Sequence, residues 1–296
     1  MSNECWAELS GVKKRFGKTV ALDGLDLHVS AGELFSVLGP NGAGKSTAIS
    51  LLLGLLKPDA GAARLFGTSP FRVEARRRVG VMMQEVTLAP ELRVREHIAL
   101  VASYYPHPLT PVEAMELTNI SSLASRPYGK LSAGQKRQVQ FTMAVCGRPK
   151  LLFLDEPSVG LDVHARETMW ATLRQLVHNG ASIVLTTHYL EEAESLSNRV
   201  AVLNKGRLIA SGTVNEIRAL VVRKHITCST VLAADHIAAW PDVESVTRDQ
   251  QRLQISTSNS EAVVRRLLAA DSNLQELEVR RAGLAEAFTE LTQEAA

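Results

Sequence analysis

Short, mostly apolar runs recur along this chain, and each run ends in glycine or polar residues. The runs lie at 34–38, 79–83, 151–154 and 181–186. Runs of this length without polar alternation predict strands that are buried on both faces, as in a parallel sheet. Between them, apolar residues recur at helical spacing, for example Met169, Leu173 and Leu176 within the segment 163–177. Strands that alternate with helices predict an α/β domain.

Two other regions break this alternation. Residues 6–30 predict two short strands around a turn at 16–18, because apolar and polar residues alternate as in a half-buried antiparallel strand. The segment 58–68 predicts a turn and a hairpin. Residues 85–145 predict a helical subdomain, in which three prolines follow the amphipathic helix 93–105. We therefore expect an antiparallel β subdomain and a helical insertion around the α/β core.

The C-terminal part of the chain has its own order of elements. A boundary near residue 220 divides the chain into domains 1–220 and 221–296. The second domain is predicted to contain strand 226–232, helix 235–240, strand 243–248, strand 252–257, helix 260–270, strand 274–280 and a final helix 284–292. This β-α-β-β-α-β order is the ferredoxin-like pattern of a small α+β domain. Since no catalytic constellation appears in it, we expect an accessory, dimerisation or regulatory domain.

The final helix has an apolar stripe whose partner the sequence leaves open. Leu284, Ala287, Phe288 and Leu291 recur at helical spacing. The stripe fits either the sheet of its own domain or a second copy of this chain. A contact with a second copy would keep two chains at a high effective concentration.

Charge and composition narrow the classes of function. The 33 basic and 31 acidic residues give a formal charge of +2, a balance that gives no electrostatic case for binding nucleic acid or an anionic membrane. No stretch approaches the ~18–20 apolar residues of a membrane-spanning helix, and the N-terminus lacks the pattern of a signal peptide. Cys5, Cys146 and Cys228 are far apart, which indicates reduced thiols. We expect a cytoplasmic protein that reaches the membrane only through a partner.

One stretch carries a specific chemical pattern. Residues 39–46, GPNGAGKS, fit the phosphate-loop pattern G-x-x-x-x-G-K-[ST] between the strand 34–38 and an apolar segment, 48–56, that predicts a buried helix. The glycines let successive N–H groups point at a phosphate, and the helix adds the positive end of its dipole. Lys45 supplies a charge for the outer phosphates, and the Ser46 hydroxyl can ligate Mg²⁺. The pattern predicts a P-loop NTPase core.

Polar residues at the ends of other predicted strands are candidates for the same site, because open α/β sheets bind ligands at the carboxyl ends of their strands. Gln84 follows the strand 79–83 and can reach Mg²⁺ or an attacking water molecule. Asp155 and Glu156 end the next strand, where one carboxylate can serve the metal and the other the water. His188 follows the last apolar run and can hydrogen-bond a γ-phosphate.

Two more candidates have weaker patterns. LSAGQ, residues 131–135, opens a predicted helix, and a helix N-terminus can bind an anion. Phe16 lies upstream of the phosphate loop, where an aromatic ring can stack on adenine, although a lone aromatic residue is usually part of a core.

With these elements in order, residues 6–218 closely resemble the ATP-binding subunits of ABC transporters. The resemblance depends on GPNGAGKST (39–47), Gln84, LSAGQ, LLFLDEP (151–157) followed by SVGLD, and His188. LSAGQ followed closely by an Asp-Glu strand and then a strand-end His is highly specific. The chain departs from the commoner LSGGQ at Ala133 and from the commoner Tyr at Phe16.

The resemblance implies roles for individual residues, with ATP and Mg²⁺ as ligands. ATP binding would involve Phe16, Gly39, Pro40, Asn41, Gly42, Ala43, Gly44, Lys45, Ser46, Thr47, Ser132, Ala133, Gly134 and Gln135. Ser46 and Gln84 would ligate Mg²⁺, and Asp155 would hold it through water. Glu156 would polarise the attacking water, with Gln84 and His188 beside it as further catalytic residues.

The resemblance also implies partners. In this family two copies pack head to tail, so that residues 132–135 of one chain close on ATP bound to the other. One set of motifs therefore implies a homodimer, or a pair with a similar chain. A separate membrane permease would dock on the helical insertion, so the chain would be peripheral on the inner face of the cell membrane.

The C-terminal stretch GLAEAFTELT (283–292) resembles the end of ATPase subunits from ABC-2-type drug, antibiotic and sodium exporters. It favours an exporter. The alternatives are the ATPase of an ABC importer, whose cassette differs little, and a soluble ABC ATPase outside transport. One cassette without sustained heptads argues against the last of these.

Overall fold

The apolar runs form neighbouring strands of one sheet in the computed structural model, which describes residues 4–84, 86–220, 224–249, 252–281 and 283–294. The chain divides into two compact units, one up to residue 214 and one from residue 215 to 294. The strands are β1 (Cys5–Phe16), β2 (Thr19–Ser30), β3 (Leu34–Leu38), β4 (Ala60–Leu65), β5 (Val79–Met82), β6 (Leu151–Asp155), β7 (Ser182–Thr186), β8 (Arg199–Asn204), β9 (Arg207–Thr213), β10 (Lys224–Ser229), β11 (Val243–Asp249), β12 (Arg252–Thr257) and β13 (Gln275–Arg281).

The helices follow the predicted order. They are α1 (Lys45–Leu52), α2 (Val73–Arg76), α3 (Val94–Ala102), α4 (Pro111–Leu117), α5 (Ala133–Val145), α6 (Val163–His178), α7 (Leu190–Leu196), α8 (Val214–Ala219), α9 (Ala234–Ala238), α10 (Ser260–Ala270) and α11 (Leu284–Glu294), with short 3₁₀ turns at Ser121–Leu123 and Tyr128–Lys130. Within the described ranges, no helix combines the length and apolar character needed to cross a bilayer.

The central sheet of the first unit has the strand order β5-β6-β7-β3-β8-β9. The five neighbouring strands β5, β6, β7, β3 and β8 are parallel to one another, and β9 pairs antiparallel with β8 at the edge of the sheet. Every residue of β3, β6 and β7 is buried. One face packs on apolar residues of α5 and α6, and the other on α1 and the antiparallel strands. This confirms the predicted α/β core.

The antiparallel β subdomain has the order β2-β1-β4. Strands β1 and β2 have twelve residues each, so they are longer than the two short strands predicted. The predicted hairpin at 58–68 is reduced to an isolated antiparallel bridge between Leu65 and Thr68, because β4 pairs instead with β1, with Ala7 opposite Leu65. Leu65 is buried in the same core as Leu9. Pairing with β1 therefore buries an apolar side chain that a small isolated hairpin would leave in water.

The helical insertion has an apolar core of its own. Its members include Val94 and Ile98 of α3, Met115 of α4, Val139 of α5, and Ile120 and Tyr128 from the segment between α4 and α5. Helix α3 ends at Ala102 rather than at residue 105, and the Tyr105 hydroxyl instead donates to the Val79 carbonyl at 3.0 Å. Helix α4 begins with Pro111, and Thr110 caps it by accepting from the Glu113 N–H at 3.2 Å.

Between α8 and α11, the second unit has elements in the order β10-α9-β11-β12-α10-β13. Its strands lie in the order β11-β12-β10-β13, and every pair is antiparallel. One sheet face and the two helices share an apolar core of Ile226, Cys228, Ile237, Leu253, Ile255, Val263 and Leu267. Strand β10 ends at Ser229 rather than at residue 232, because the Thr230 hydroxyl and the Val231 N–H donate to the Asp271 carboxylate.

Helix α11 begins beside the sheet of the second unit. The carboxylate of Glu286 lies 3.5 Å from Nε2 of His225 on β10. Leu284 and Ala287 are fully buried, whereas Phe288 and Leu291 are partly exposed. The first half of the apolar stripe is therefore covered within this chain.

Candidate nucleotide site

The ends of four parallel strands bring most of the predicted site residues to one edge of the central sheet. The register of the strands aligns their carboxyl ends, for example Asp155 with Thr186. A cleft of about 710 Å³ opens there. Its lining includes Phe16, Thr19, Val20, Ala21, Asn41, Gly42, Ala43, Gly44, Lys45, Ser46, Thr47, Gln84, Glu156 and His188. A cleft of this volume is large enough for a nucleotide-sized ligand.

The phosphate loop is shaped by glycines that no other residue could replace without strain. Gly44 has φ +103°, and a Cβ there would lie 2.6 Å from a methyl group of Leu22 and 2.7 Å from the Ala21 carbonyl oxygen. Helix α1 starts directly after Gly44 and ends at Leu52, earlier than the predicted residue 56, because Gly54 turns the chain with φ +66°. The loop N–H groups and the helix N-terminus therefore lie together at the cleft.

Lys45 lies under the loop. Its Nζ donates to the carbonyls of Gly39 at 2.7 Å and Pro40 at 3.1 Å, and only 7% of the residue is exposed. Burial lowers the pKa of Lys45, and the carboxylates of Glu156 and Asp155 partly oppose this shift. A buried ammonium that donates to carbonyl oxygens is ready to gain an anionic partner.

Hard oxygen donors meet beside the loop. The Ser46 hydroxyl lies 3.3 Å from Oδ2 of Asp155, whose other carboxylate oxygen accepts from the Thr186 hydroxyl. Asp155 is therefore fixed by the sheet on one side and faces the cleft on the other. A hydroxyl, a carboxylate and the nearby Gln84 amide fit Mg²⁺, which prefers oxygen ligands and reaches protein sites together with phosphates.

Glu156 lies at the centre of the remaining polar groups. Its Oε1 is 3.1 Å from Nδ1 of His188, and its Oε2 accepts from Nε2 of Gln84 at 3.4 Å. Its backbone has φ +49°, which is unusual for a residue with a side chain, and its N–H donates to the Thr186 carbonyl at 2.9 Å. Backbone strain of this kind is found most often at functional sites.

The LSAGQ segment lies elsewhere. The residues lining the cleft do not include Ser132, Ala133, Gly134 or Gln135, all of which the structure describes. The Ser132 hydroxyl caps α5 by accepting from the Gln135 N–H at 3.2 Å, and the Ser132 N–H donates to Oε1 of Gln135 at the same distance. Ala133 is the first helical residue and does not have a positive φ, so alanine fits this position without backbone strain.

Comparison with known sequences decides the family. The sequence model of the family described as "ABC transporter" matches residues 22–159. The Nod factor export ATP-binding protein I of Burkholderia thailandensis is 41% identical over 227 residues, which cover 74% of this chain and 73% of that protein. Its namesake from Bradyrhizobium diazoefficiens is 40% identical over 231 residues, or 76% and 74% of the two chains. This chain belongs to the ABC transporter ATP-binding family.

Solved structures agree with this assignment. The ATP-binding subunit of an ABC transporter superposes with a TM-score of 0.67 at 28% identity, over 73% of this chain and 92% of the other. A dimeric bacterial ABC transporter cassette gives 0.64 at 25% identity, over 70% and 98%. The resemblance inferred from the motifs is confirmed, and the chain is an ATP-binding subunit of an ABC transporter.

Sequence reasoning missed two polar residues of this ABC subunit. Thr186 donates to the Asp155 carboxylate, but in the sequence it is only the last residue of an apolar run. Arg137 of α5 is 9% exposed and donates to backbone carbonyls at the ends of β5 and β6. Burial lowers the pKa of Arg137, and the nearby carboxylates oppose this. The available signal was its spacing from Phe141 and Val145, which puts Arg137 on the buried face of the helix.

Proposed function

We propose that this subunit hydrolyses ATP in the cleft at the strand ends and that a separate membrane permease uses the energy for export. The observation that carries the proposal is the position of Glu156, which lies between Gln84 and His188 and beside the phosphate loop. A carboxylate held within reach of a bound γ-phosphate is suited to accept a proton from water.

Binding comes from the loop and from Phe16. The N–H groups of the loop 39–47, apart from Pro40, and the α1 N-terminus surround the phosphates, while Lys45 exchanges its carbonyl partners for phosphate oxygens. Phe16 is about half exposed at the cleft and offers its ring to the adenine.

Positioning and proton transfer come from the strand ends. Ser46 and Gln84 would hold Mg²⁺, with Asp155 reaching it through water, and the ion would neutralise phosphate charge. The Glu156 carboxylate orients the attacking water and accepts its proton. His188, whose side chain is 46% exposed, contacts the γ-phosphate from the neighbouring strand end.

A second chain completes the site. We assign Ser132, Ala133, Gly134 and Gln135 to ATP bound on the opposite subunit of a homodimer. Their position outside their own cleft supports this assignment, as does the dimeric state of the similar cassette.

The direction of transport and the permease contact rest on separate observations. The similar proteins named above are export ATP-binding proteins, which supports export. Several apolar side chains of the helical insertion are exposed, among them Leu92, Leu100 and Tyr104, and a permease would cover them at the cytoplasmic face of the membrane.

The C-terminal unit is proposed to be a ferredoxin-like accessory domain with a dimerisation or regulatory role. The observed order of its strands and helices supports the fold. Because Leu284 and Ala287 are covered within the chain, a second copy would contact the more exposed half of α11 around Phe288 and Leu291.

Two measurements test this function. The purified chain is expected to release phosphate from Mg-ATP, and a tagged chain is expected to copurify with one membrane permease from native membranes. In inverted vesicles that contain this pair, ATP outside the vesicles should drive substrate inward, which corresponds to export. Absence of phosphate release, or ATP-driven movement in the other direction, would contradict the proposal.

A further inference from the structure

Arg137 binds the backbone of both segments that carry the catalytic side chains. Its Nη1 donates to the carbonyl of Met83 at 3.1 Å and to that of Gln84 at 3.2 Å. Its Nη2 donates to the carbonyl of Asp155 at 3.1 Å and to that of Glu156. One planar guanidinium thus joins the end of β5 to the end of β6.

These bonds hold a backbone conformation that has an intrinsic cost. Glu156 has φ +49°, and a residue with a side chain in this region persists only where its surroundings fix it. The Glu156 N–H is bound by the Thr186 carbonyl, and its C=O is bound by Arg137. Without the guanidinium, partly buried carbonyls at both strand ends would lose their donors.

The guanidinium leaves the reacting side chains free. In the structure it donates to main-chain carbonyls, whereas the Glu156 carboxylate faces Gln84 and His188. Arg137 is itself oriented by Oε1 of Gln140, which accepts from Nη1 at 3.1 Å. The fork geometry of arginine allows one side chain to serve two carbonyl pairs, which a lysine ammonium cannot reproduce.

We infer that Arg137 is a positioning residue for hydrolysis: it sets the Gln84 side chain against the Glu156 carboxylate by fixing the backbone beneath both. The inference rests on the proposed ATPase function. It predicts that loss of Arg137 lowers turnover far more than ATP binding, because phosphate binding depends on the loop and Lys45.

The test compares kcat, KM, ATP affinity without Mg²⁺ and melting temperature in Arg137→Met, Arg137→Lys and wild type. Arg137→Met is expected to lower kcat by about 10–100-fold, the effect of misplacing reacting groups by about 1 Å. KM and ATP affinity should stay within about threefold of wild type, since the loop contacts remain. The kcat of Arg137→Lys should lie between those of Arg137→Met and wild type, because lysine keeps the positive charge but lacks the forked guanidinium.

The matched control is Arg199→Met. Arg199 also binds partners through a partly buried guanidinium, with Nη1 3.0 Å from Oε1 of Glu33, but it begins β8, at the sheet edge opposite the cleft. The Arg199→Met substitution should lower the melting temperature without lowering kcat per folded chain.

Chemical rescue separates positioning from folding. Guanidinium chloride at millimolar concentration should raise the kcat of Arg137→Ala, which leaves space for the ion, and should not raise that of Glu156→Gln.

If Arg137→Met does not fold, Arg137→Lys decides, and a kcat within about twofold of wild type would overturn the inference. The inference would also be overturned if the fall in kcat were fully explained by a smaller fraction of folded protein. An inactive wild-type chain would overturn both this inference and the proposed function.

Discussion

The strand ends of the first unit and the sheet of the second unit use charged residues differently. At the cleft, Lys45 and Asp155 are 7% and 3% exposed, and each faces a group that a ligand could replace or bridge. Among the described residues of the second unit, each ion pair has at least one exposed partner, as in Arg280 with Glu278, whose side chains are 72% and 52% exposed. Exposed pairs contribute little to stability. At the cleft, therefore, buried charge belongs to groups that a ligand can contact.

One residue shows that burial alone is not sufficient. Asp271 of the second unit is 5% exposed, which is close to the value for Asp155. Both of its oxygens are used locally, one by Thr230 and Val231 and the other by the Asn273 N–H. Asp155 instead turns its Oδ2 toward Ser46 at the cleft. A buried carboxylate indicates a ligand site when one of its oxygens faces an open cavity.

The largest effect that this comparison predicts comes from Glu156→Gln. The change keeps the shape of the side chain but removes the base, so turnover should fall about 10²–10⁴-fold. ATP binding should persist, and the variant should accumulate as an ATP-bound dimer. Phosphate release and gel filtration with Mg-ATP measure both effects. Glu278→Gln is the control from the second unit, and equal losses in the two variants would break the comparison.

Lys45→Ala should have the next largest effect. Removal of a charge-assisted contact costs roughly 1.5–3 kcal/mol, which corresponds to a rise in the ATP Kd of about 10–150-fold. Hydrolysis should be lost with it. The control is Lys224→Ala, which removes an ammonium that pairs with the exposed Glu261 carboxylate in the second unit. Titration with a fluorescent ATP analogue measures the difference, and unchanged affinity in Lys45→Ala would contradict the assignment of the phosphate loop.

Asp271→Asn should have the smallest effect, on stability alone. Hydrogen bonds from Thr230 and from the N–H groups of Asn273 and Val231 hold the pKa of Asp271 below its ordinary value. Its stabilisation is thus present above the pKa of the unfolded state, about 3.9, and is lost as the pH falls through the folded pKa. The melting temperature of the variant should be lower than that of wild type at pH 7, and the difference should shrink as the pH falls below about 3.9 toward the folded pKa of Asp271. Reduced turnover per folded chain would contradict this.

The sequence predicted those parts of the fold that depend on local spacing. The apolar runs, the phosphate loop and the Asp155-Glu156 strand end each lie within a few consecutive residues, and parallel pairing then places them at one edge. The contacts of Arg137 were not predicted, because its acceptors at Met83 and Glu156 are distant from it in the chain. Only the packed helix brings them together.

The ends of strands and helices were predicted less accurately than their order, for a related reason. The end of β10 depends on bonds from Thr230 and Val231 to Asp271, some forty residues later. The pairing of β4 depends on a core shared with Leu9. Tertiary contacts of this kind override the local signals of turns and strands.

The rate of phosphate release per chain, measured against protein concentration with saturating Mg-ATP, tests the central claim most directly. That claim is that the cluster around Glu156 hydrolyses ATP once residues 132–135 of a second chain close on it. After subtraction of the Glu156→Gln background, the rate per chain should rise with concentration while light scattering shows monomers and level off once dimers predominate. A rate per chain that stays constant from the monomeric to the dimeric range would contradict the claim.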